Sequence, residues 1–376
     1  MKKKLNAIDL FSGCGGAALG LHEFCNVVAY CEKDKECRRV LEKNQKCGKL
    51  DVAPIYADVR NFPCLKRHID IVSAGFPCQD ISTFGNKHGL EGERSSLFHC
   101  AMKVVHDHKP NYVFLENVYN ILVMPEVWKI VLKELDSEGY DCSWTIVSAS
   151  NVGAPHQRRR WFLLGIRRGF EHGRKKSGLQ LIDDCMWNSH GWQTNPKRKW
   201  EVNLPRLVNA EPCDIKSRLF QCGNICVPQQ AWAAFLILSM GLDGQRIKAS
   251  MKSEHMPNSG FFSKGKLTEI ETEPLQEAEN LYLEFKQYER PPGKERGERT
   301  VLPEITDPII RPRFTTPRAL GGNGPAWTLT KRSIQDIANQ FRYEKNTPKS
   351  HRWRRYPNPE YIEWMVGLPR GWTKVC

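Results

Sequence analysis

The sequence predicts an α/β protein with a doubly wound, mostly parallel sheet and a second, smaller irregular domain. Over the first 170 residues, short apolar runs alternate with helical stretches. Beyond about residue 242 the chain becomes polar and rich in Pro and Gly. A chain of 376 residues is long enough for two domains. We therefore expect one domain over residues 1–242 and another over 243–376.

Each element follows from its own local pattern. Short apolar runs predict strands, and stretches with helical spacing predict helices. The predicted strands cover residues 5–10, 27–31, 70–74, 112–116, 141–148 and 161–166. The predicted helices cover residues 17–24, 35–44, 97–107, 127–135 and 231–240. Ligands of such sheets bind beyond the carboxyl ends of the strands, so polar residues at those ends are the candidate site.

The charge balance favours a polyanionic partner. Lys and Arg total 56 against 42 for Asp and Glu, a formal charge of +14, which suits nucleic acid or an anionic membrane surface. The apolar runs are too short for a transmembrane helix, and the basic start lacks a signal-peptide core, so we expect an intracellular protein, cytoplasmic in a microbe or a virus-infected cell. The 14 cysteines lack Cys-x-x-Cys pairs, which disfavours a zinc-bound or disulfide-stabilised binding protein.

Polar groups follow three successive strands in the first part of the chain. The first strand runs into Phe11-Ser-Gly-Cys-Gly-Gly and then a helix, where glycines and free N–H groups let a ligand approach the backbone. Glu32 ends the second strand and could bind ribose hydroxyls. Asp58 follows the third and could accept from an adenine amino group. Each feature alone also fits a tight turn or a solvated strand end, but the three together favour a nucleoside cofactor.

The next two strand ends carry a possible nucleophile and a possible acid. Ala74-Gly-Phe-Pro-Cys-Gln ends the fourth strand and Leu115-Glu-Asn-Val ends the fifth. Cys78 can act as a nucleophile if its pKa is lowered. Glu116, with a pKa raised by desolvation, could donate a proton. This pair suits cytosine, whose C5 becomes nucleophilic once a thiolate adds at C6 and an acid engages N3.

Five segments resemble motifs of the C5-cytosine DNA methyltransferase family and keep the family's order over residues 8–166. They are Asp9-Leu-Phe-Ser-Gly-Cys-Gly-Gly, Gly75-Phe-Pro-Cys-Gln, Gly92-Glu-Arg-Ser-Ser-Leu-Phe, Glu116-Asn-Val and Ala154-Pro-His-Gln-Arg-Arg-Arg. The resemblance implies a Rossmann-like S-adenosylmethionine methyltransferase domain plus a target-recognition domain. It also implies methylation of carbon 5 of cytosine in a short DNA sequence, by base flipping and covalent addition of Cys78, in an enzyme of the restriction–modification or viral type.

The same resemblance implies roles for individual residues. Cys78 would be the nucleophile and Glu116 the acid, Arg158 would support the flipped base near its carbonyl, and Arg160 would order Glu116. His156 stands where the family often has Gln, and we expect little consequence. S-adenosylmethionine, released as S-adenosylhomocysteine, would contact Phe11 (against the adenine), Gly13, Gly15, Gly16, Glu32, Asp58, Val59, Pro77 and Asn224. We expect no metal and no obligatory protein partner, and thus a monomer.

Two later segments resemble family motifs in an unusual order. Residues 218–240, from Arg218-Leu-Phe-Gln-Cys-Gly-Asn through the helix 231–240, resemble the Gly-Asn segment that usually closes the chain. Here it precedes the recognition region, and the Gly-Leu-Pro segment at 358–369 follows that region. This order would complete the cofactor domain within residues 1–242. The alternative is that 218–240 is an ordinary helix.

The DNA contacts are expected mainly from two stretches in the second half of the chain. Basic residues alternate with aromatic ones over 341–356, which suits a surface that tracks the phosphate backbone, although a solvated linker would look similar. Base readout would come from 243–345. The candidate DNA-binding residues are Gln79, Ser82, Arg94, Arg311, Arg313, Arg352 and Arg354. A tRNA-methylating enzyme with the same core and a non-catalytic DNA-binding protein on the same fold are the alternatives to double-stranded DNA methylation.

Overall fold

A computed structural model of the chain describes residues 4–77, 97–152, 154, 156–170, 204, 207–208, 212–241, 245–248, 255–271 and 356–375. Within these ranges the strands are β1 (Leu5–Leu10), β2 (Cys25–Cys31), β3 (Ile55–Tyr56), β4 (Ile71–Ala74), β5 (Tyr112–Val118), β6 (Tyr140–Val147), β7 (Arg160–Arg167), β8 (Leu207–Val208), β9 (Gln245–Lys248), β10 (Gly260–Ser263), β11 (Lys266–Glu271) and β12 (Tyr356–Pro357). The helices are α1 (Gly16–Leu21), α2 (Lys35–Lys46), α3 (Leu97–His108), α4 (Pro125–Ser137), α5 (Pro212–Asn224), α6 (Pro228–Met240) and α7 (Pro359–Met365).

The main sheet has ten strands in the order β3-β2-β1-β4-β5-β7-β6-β10-β11-β9. The ladders joining β3, β2, β1, β4 and β5 are parallel. The remaining ladders are antiparallel, beginning with β5–β7 and β7–β6. The link from β6 to β7 contains no α-helix, and a chain that returns without a helical crossover pairs antiparallel. The predicted α/β fold is thus confirmed, but the sheet is mixed where a mostly parallel one was predicted. Parallel pairing is confined to the half of the sheet that carries the predicted cofactor loop.

Helices cover both faces of this sheet, because neighbouring residues of each strand point to opposite sides. Ala7 and Ile71 face a core that includes α1, α2 and α6. Ile8 and Val72 face a second core that includes α3 and α4. The helix α6 is apolar almost all round, which fits its burial between α1 and the strands β6 and β7. The sheet is therefore doubly wound, as predicted.

The predicted element bounds agree with the structure to within a few residues. The strand over 5–10 has the predicted limits, whereas α2 continues two residues past the predicted 35–44. Asp34 caps α2 by accepting a hydrogen bond from the Cys37 N–H at 2.8 Å, and basic side chains in the last turn favour its carboxyl end. Within the described parts of the chain, every helix is too short or too polar to cross a bilayer.

The chain beyond residue 242 returns to the main core in two places. The strand β10 pairs with β6, and β11 and β9 extend the sheet from there. A side chain at Gly260 would lie 2.3 Å from the Trp144 ring, so a glycine is needed for this close approach. The segment 358–375 packs into the same core as α1 and α6. These two described ranges therefore pack against the main sheet and its core. The division near 242 stays a prediction, and most of the predicted recognition region, 272–355, lies outside the described residues.

Candidate active site

The parallel strands end in register at one edge of the sheet. Leu10 of β1 lies opposite Cys31 of β2 and Ala74 of β4, and Ala74 lies opposite Leu115 of β5. The residues that follow these positions therefore emerge side by side. The structure thus brings the predicted cofactor loop next to the segments that lead into the predicted nucleophile and acid.

The loop 11–15 has a backbone that three left-handed residues shape. Phe11, Gly13 and Gly15 have φ values of 56°, 53° and 89°. A Cβ at Gly15 would lie 2.8 Å from a Leu50 methyl group, and the left-handed backbone at this position favours glycine. A Cβ at Gly13 would meet no atom within 4 Å among the described residues. The loop therefore leaves open space beside Gly13, where a ligand could approach the backbone.

Glu32 connects the loop to the end of β2. Its Oε2 accepts a hydrogen bond from the Gly13 N–H at 2.7 Å, and its Oε1 accepts one from the Asp34 N–H at 2.7 Å. Burial raises the pKa of the Glu32 carboxyl above its usual value. Each carboxylate oxygen can accept more than one hydrogen bond, so the proposed ribose contact is chemically compatible with both bonds.

Asp58 lies at the end of β3 but already has a partner. Both of its oxygens accept from the Arg60 guanidinium, the closest contact being 2.5 Å, and these bonds lower the pKa of Asp58 to about 2. The carboxylate therefore stays ionised and remains a hydrogen-bond acceptor. Val59 is buried in the core that faces α3. The adenine contact predicted for Asp58 stays a prediction.

The predicted Gly-Asn segment, 218–240, lies directly against α1. A Cβ at Gly16 would lie 2.2 Å from the Cys226 carbonyl oxygen, and a Cβ at Gly20 would lie 2.2 Å from the Pro228 oxygen. These two glycines let α1 approach the backbone of 225–228. Asn224, at the end of α5, is exposed. Gly16, predicted to bind the cofactor, thus has a packing role in the structure.

A buried amide holds the segment that leads into the predicted nucleophile. The Asn117 side chain on β5 donates a hydrogen bond from Nδ2 to the Phe76 carbonyl at 2.9 Å. Pro77, the next residue, is exposed. Cys78, Gln79, Ser82 and Arg94 follow in 78–96, which lies outside the described residues, as do Arg311, Arg313, Arg352 and Arg354.

Glu116 is paired with Arg160. The Arg160 Nε lies 2.9 Å from Glu116 Oε1, and the two side chains are only 16% and 17% exposed. The antiparallel ladder of β5 and β7 makes this pairing possible. The Glu116 carboxylate thus has Arg160 as its cationic partner, the pair that the family resemblance implied. The other oxygen, Oε2, faces Gly75, since a Cβ built there would lie 3.2 Å from it.

Arg158 points to a different part of the structure. Its buried guanidinium donates to the Gly223 and Ile225 carbonyls at 2.9 and 2.5 Å. Burial lowers the pKa of Arg158 to about 9. A cation at the carboxyl end of α5 also interacts favourably with the helix dipole. Arg158 is therefore hydrogen-bonded to the predicted Gly-Asn segment. The predicted contact of Arg158 with a base stays a prediction.

His156 is buried and neutral. Its Nε2 donates to the Met365 carbonyl at 2.9 Å, and burial lowers the pKa of the imidazole to about 3. No partner for Nδ1 is found within the part of the chain that the structure describes. The sequence predicted little consequence from histidine here, whereas the structure gives its ring a buried bond to the chain's C-terminal segment.

The comparison with family models agrees with this geometry. The model for C-5 cytosine-specific DNA methylase matches residues 5–205, which is more than half of the chain. The chain belongs to this family.

Among curated members of the family, the chain is 35% identical over 243 residues to the type II methyltransferase M.CviJI of Paramecium bursaria Chlorella virus IL3A. That match covers 62% of this chain and 59% of the relative. A second match, to the type II methyltransferase M.DsaV of Dactylococcopsis salina, is 34% identical over 172 residues and covers 44% and 47%. The chain thus spans about half the length of the curated relatives it matches.

Solved structures also resemble the chain, at low similarity. The S. pombe Dnmt2 methyltransferase shares 18% identity, with 48% of this chain and 55% of that chain covered and a TM-score of 0.35. A mutant of Spodoptera frugiperda DNMT2 shares 12% identity, with 99% and 97% covered and a TM-score of 0.40. These scores are too low to establish a common fold by themselves.

In this member of the C-5 cytosine-specific DNA methylase family, sequence reasoning assigned no role to two polar groups near the site. Asp9 is buried at the end of β1, where Oδ1 accepts from the Ser73 hydroxyl at 3.0 Å, and burial raises its pKa to about 7. An acidic residue within an apolar strand is unusual, and this could have identified Asp9 from the sequence. Trp372 donates to the Cys14 carbonyl in the cofactor loop, and no local pattern points to this contact.

Proposed function

We propose that this chain is a DNA (cytosine-5-)-methyltransferase that transfers a methyl group from S-adenosylmethionine to carbon 5 of cytosine in a short double-stranded DNA sequence. The observation that carries this proposal is the meeting of three motifs at one sheet edge. The Glu116–Arg160 pair lies beside Gly75, which follows β4. The strand β1 pairs with β4 and leads into the glycine loop 11–15. Family membership is consistent with the same chemistry.

The cofactor fits the loop by one structural criterion, the open space beside Gly13 that a side chain would enter. We assign Phe11 to the adenine, Glu32 to the ribose hydroxyls and Asp58 to the adenine amino group. Val59, Pro77 and Asn224 complete the proposed contacts. When bound, S-adenosylmethionine supplies an electrophilic methyl group.

The chain's own residues prepare the cytosine for methylation. The Cys78 thiolate adds to C6, which forms a C–S bond and moves the ring electrons toward C5. Glu116 engages N3 through Oε2, the oxygen that faces Gly75, while Arg160 holds Oε1. Asn117 anchors the backbone two residues before Cys78 and so restricts where the thiolate can lie. Once C5 has gained the methyl group and lost its proton, the thiolate leaves and the ring regains its aromaticity.

The target base must leave the duplex, because a stacked cytosine is inaccessible to both the thiolate and the cofactor. Flipping costs on the order of a few kcal/mol, which contacts to phosphates can offset. The net charge of +14 supports such contacts. We assign them to the basic residues of 341–356, among them Arg352 and Arg354. Base readout is assigned to 243–345, with Arg311 and Arg313 as candidates, and Gln79, Ser82 and Arg94 are placed near the flipped base.

We also propose that 218–240 is the family's Gly-Asn segment, placed before the recognition region. The close packing of Gly16 and Gly20 against 225–228 supports this assignment. The two hydrogen bonds from Arg158 to the same segment support it further.

The experiment is methyl transfer from labelled S-adenosylmethionine to unmethylated duplex DNA, with tRNA as a second substrate and bisulfite sequencing as the readout. Cys78→Ala is compared with Cys47→Ala, which removes an exposed thiol elsewhere. We expect C5 methylation of DNA at one short sequence, lost in Cys78→Ala and kept in Cys47→Ala. Transfer to tRNA alone would refute the DNA substrate, and the absence of any transfer would refute the proposed activity.

A further inference from the structure

The C-terminal segment 358–375, which we name the C-terminal clasp, is buried although it lies far along the chain from the site. Tyr361, Met365, Val366 and Trp372 are essentially inaccessible and belong to the core that contains α1 and α6. The clasp consists of α7 followed by turns with left-handed glycines at 367 and 371. It packs into the core that contains α1, α2 and α6, next to the loop 11–15.

One side chain of the clasp bonds the middle of that loop. The Trp372 indole Nε1 donates to the Cys14 carbonyl at 2.7 Å, and the ring is fully buried. The preceding residue of the loop, Gly13, donates its N–H to Glu32. Two adjacent residues of the loop are therefore held by bonds to different elements, one through an N–H and one through a carbonyl. These bonds restrict rotation of the peptide groups that line the open space beside Gly13.

The Trp372 turn is itself anchored from several sides. Lys43 Nζ donates to the Gly371 carbonyl at 2.6 Å, and Asn44 Nδ2 donates to the Trp372 carbonyl at 3.3 Å, both from α2. The fully buried Glu363 carboxylate accepts from the Gly371 and Thr373 N–H groups at 2.7 and 2.8 Å. The turn therefore cannot move without breaking buried hydrogen bonds.

A buried ion pair fixes the clasp against α5. Arg218 Nη2 lies 3.0 Å from Glu363 Oε1, and Arg218 Nε donates to the Thr373 hydroxyl at 3.1 Å. Such a pair adds little net stability, but breaking it leaves an uncompensated buried charge. The clasp thus has one well-defined position relative to the Gly-Asn segment.

We propose that Trp372 is a positioning residue for cofactor binding: the C-terminal clasp, through the Trp372–Cys14 hydrogen bond, holds the loop 11–15 in its binding conformation. This inference rests on the proposed use of S-adenosylmethionine. Because the loop is held before the cofactor arrives, less ordering remains for binding to do. Loss of the bond should weaken affinity for the cofactor and leave the chemistry at Glu116 unchanged once the cofactor is saturating.

The test compares Trp372→Phe with Trp144→Phe in the full chain. Both wild-type tryptophans are fully buried and donate an indole N–H to a backbone carbonyl, in the case of Trp144 that of Pro257 at 2.9 Å. Only Trp372 contacts the loop. The dissociation constant for S-adenosylmethionine is measured by calorimetry, and kcat is measured at saturating cofactor and DNA.

We expect Trp372→Phe to raise the dissociation constant roughly 2- to 12-fold, the equivalent of one net hydrogen bond, with kcat near the wild-type value. We expect Trp144→Phe to bind like the wild type. Equal affinity in Trp372→Phe and wild type, or equal weakening in both variants, would overturn the proposal. Failure of the wild-type chain to bind S-adenosylmethionine would instead refute the proposed cofactor.

A second variant covers the case in which Trp372→Phe does not fold. Gly371 has φ +71°, and a Cβ there would meet no described atom within 4 Å, so Gly371→Ala strains the turn while keeping the indole. We expect it to weaken cofactor binding in the same direction. Wild-type affinity in a folded Gly371→Ala, with a lowered melting temperature that demonstrates the strain, would count against positioning by the clasp.

Discussion

Replacement of Gly16 by alanine tests the contact between α1 and the Gly-Asn segment. The added Cβ would lie 2.2 Å from the Cys226 oxygen and 2.4 Å from an Ile225 side-chain carbon, so a contact of 3.0 Å requires a shift of at least 0.8 Å (3.0 minus 2.2). The nearest atom is backbone, which cannot rotate away as a flexible side chain can. The chain must therefore move α1 or the segment 225–228.

The cost of this shift can be set against the gain in helix propensity. Overpacking of a well-packed core costs about 1–3 kcal/mol. Alanine in place of glycine recovers at most about 1 kcal/mol, and less at the first residue of a helix. With about 0.5 kcal/mol recovered at this first helical position, we expect a net loss of roughly 0.5–2.5 kcal/mol in the free energy of unfolding and a drop of several degrees in Tm, at about 2–4 °C per kcal/mol.

Thermal unfolding measures the effect of the substitution on stability, and calorimetry measures its effect on affinity for S-adenosylmethionine. Gly13→Ala is the matched control. Gly13, unlike Gly16, has a left-handed backbone, which costs alanine about 1 kcal/mol, but its Cβ would meet no described atom within 4 Å. Gly13→Ala should therefore lose affinity more than stability, and Gly16→Ala the reverse. A Gly16→Ala variant with wild-type Tm would refute the close contact with 225–228, and with it the main support for the rearranged motif order.

Three further predictions concern the site and its buried ionisable groups. Glu116→Gln should reduce the rate of methyl transfer about 10²- to 10⁴-fold with little change in cofactor affinity, and Arg160→Met should act in the same direction, as single-turnover assays can measure. An unchanged rate in Glu116→Gln would exclude the acid role. His156 has a pKa of about 3 when folded against about 6.5 when unfolded, so the unfolded state binds more protons between these values and stability falls as the pH drops through that window. The wild type should lose on the order of 2 kcal/mol in the free energy of unfolding between pH 7 and pH 5, and His156→Gln should not show this loss. Identical profiles of Tm against pH for variant and wild type would contradict this. Asp9 has the opposite sign, since its pKa of about 7 means that the folded state binds the extra proton, so stability falls as the pH rises from about 4 to 7. Asp9→Asn should flatten that fall in Tm, and a slope equal to that of the wild type would show that Asp9 titrates normally.

The sequence predicted most of the parallel half of the sheet, because apolar runs and helical spacing are readable from a few neighbouring residues. The apolar run 5–10 and the helix 35–44 each follow from a dozen residues or fewer, and β1 and α2 begin where predicted. The positions of Glu32 and Glu116 near strand ends follow in the same way, since parallel strands bring their carboxyl ends to one edge; β5 continues two residues beyond Glu116.

The partners of these side chains required the tertiary structure. Glu32 accepts a hydrogen bond from the Gly13 N–H, and Arg158 donates to the Gly223 and Ile225 carbonyls; neither contact was predicted from the sequence. Which partner each side chain finds depends on the segment that packs against the end of the sheet, and no short sequence pattern encodes that packing. The strand β10 is a similar case, because its addition to β6 depends on the fit of Gly260 against Trp144.

The sequence by itself determined the fold class, the family and the residue types at the strand ends, because periodicity and motif spacing act over short distances along the chain. Only the tertiary structure decided that Trp372 holds Cys14, that Glu363 holds Arg218 and that His156 holds Met365. Each of these pairs joins residues more than a hundred positions apart. Their contacts arise from packing and burial, which select partners by shape and unsatisfied hydrogen bonds and leave no periodic trace in the sequence.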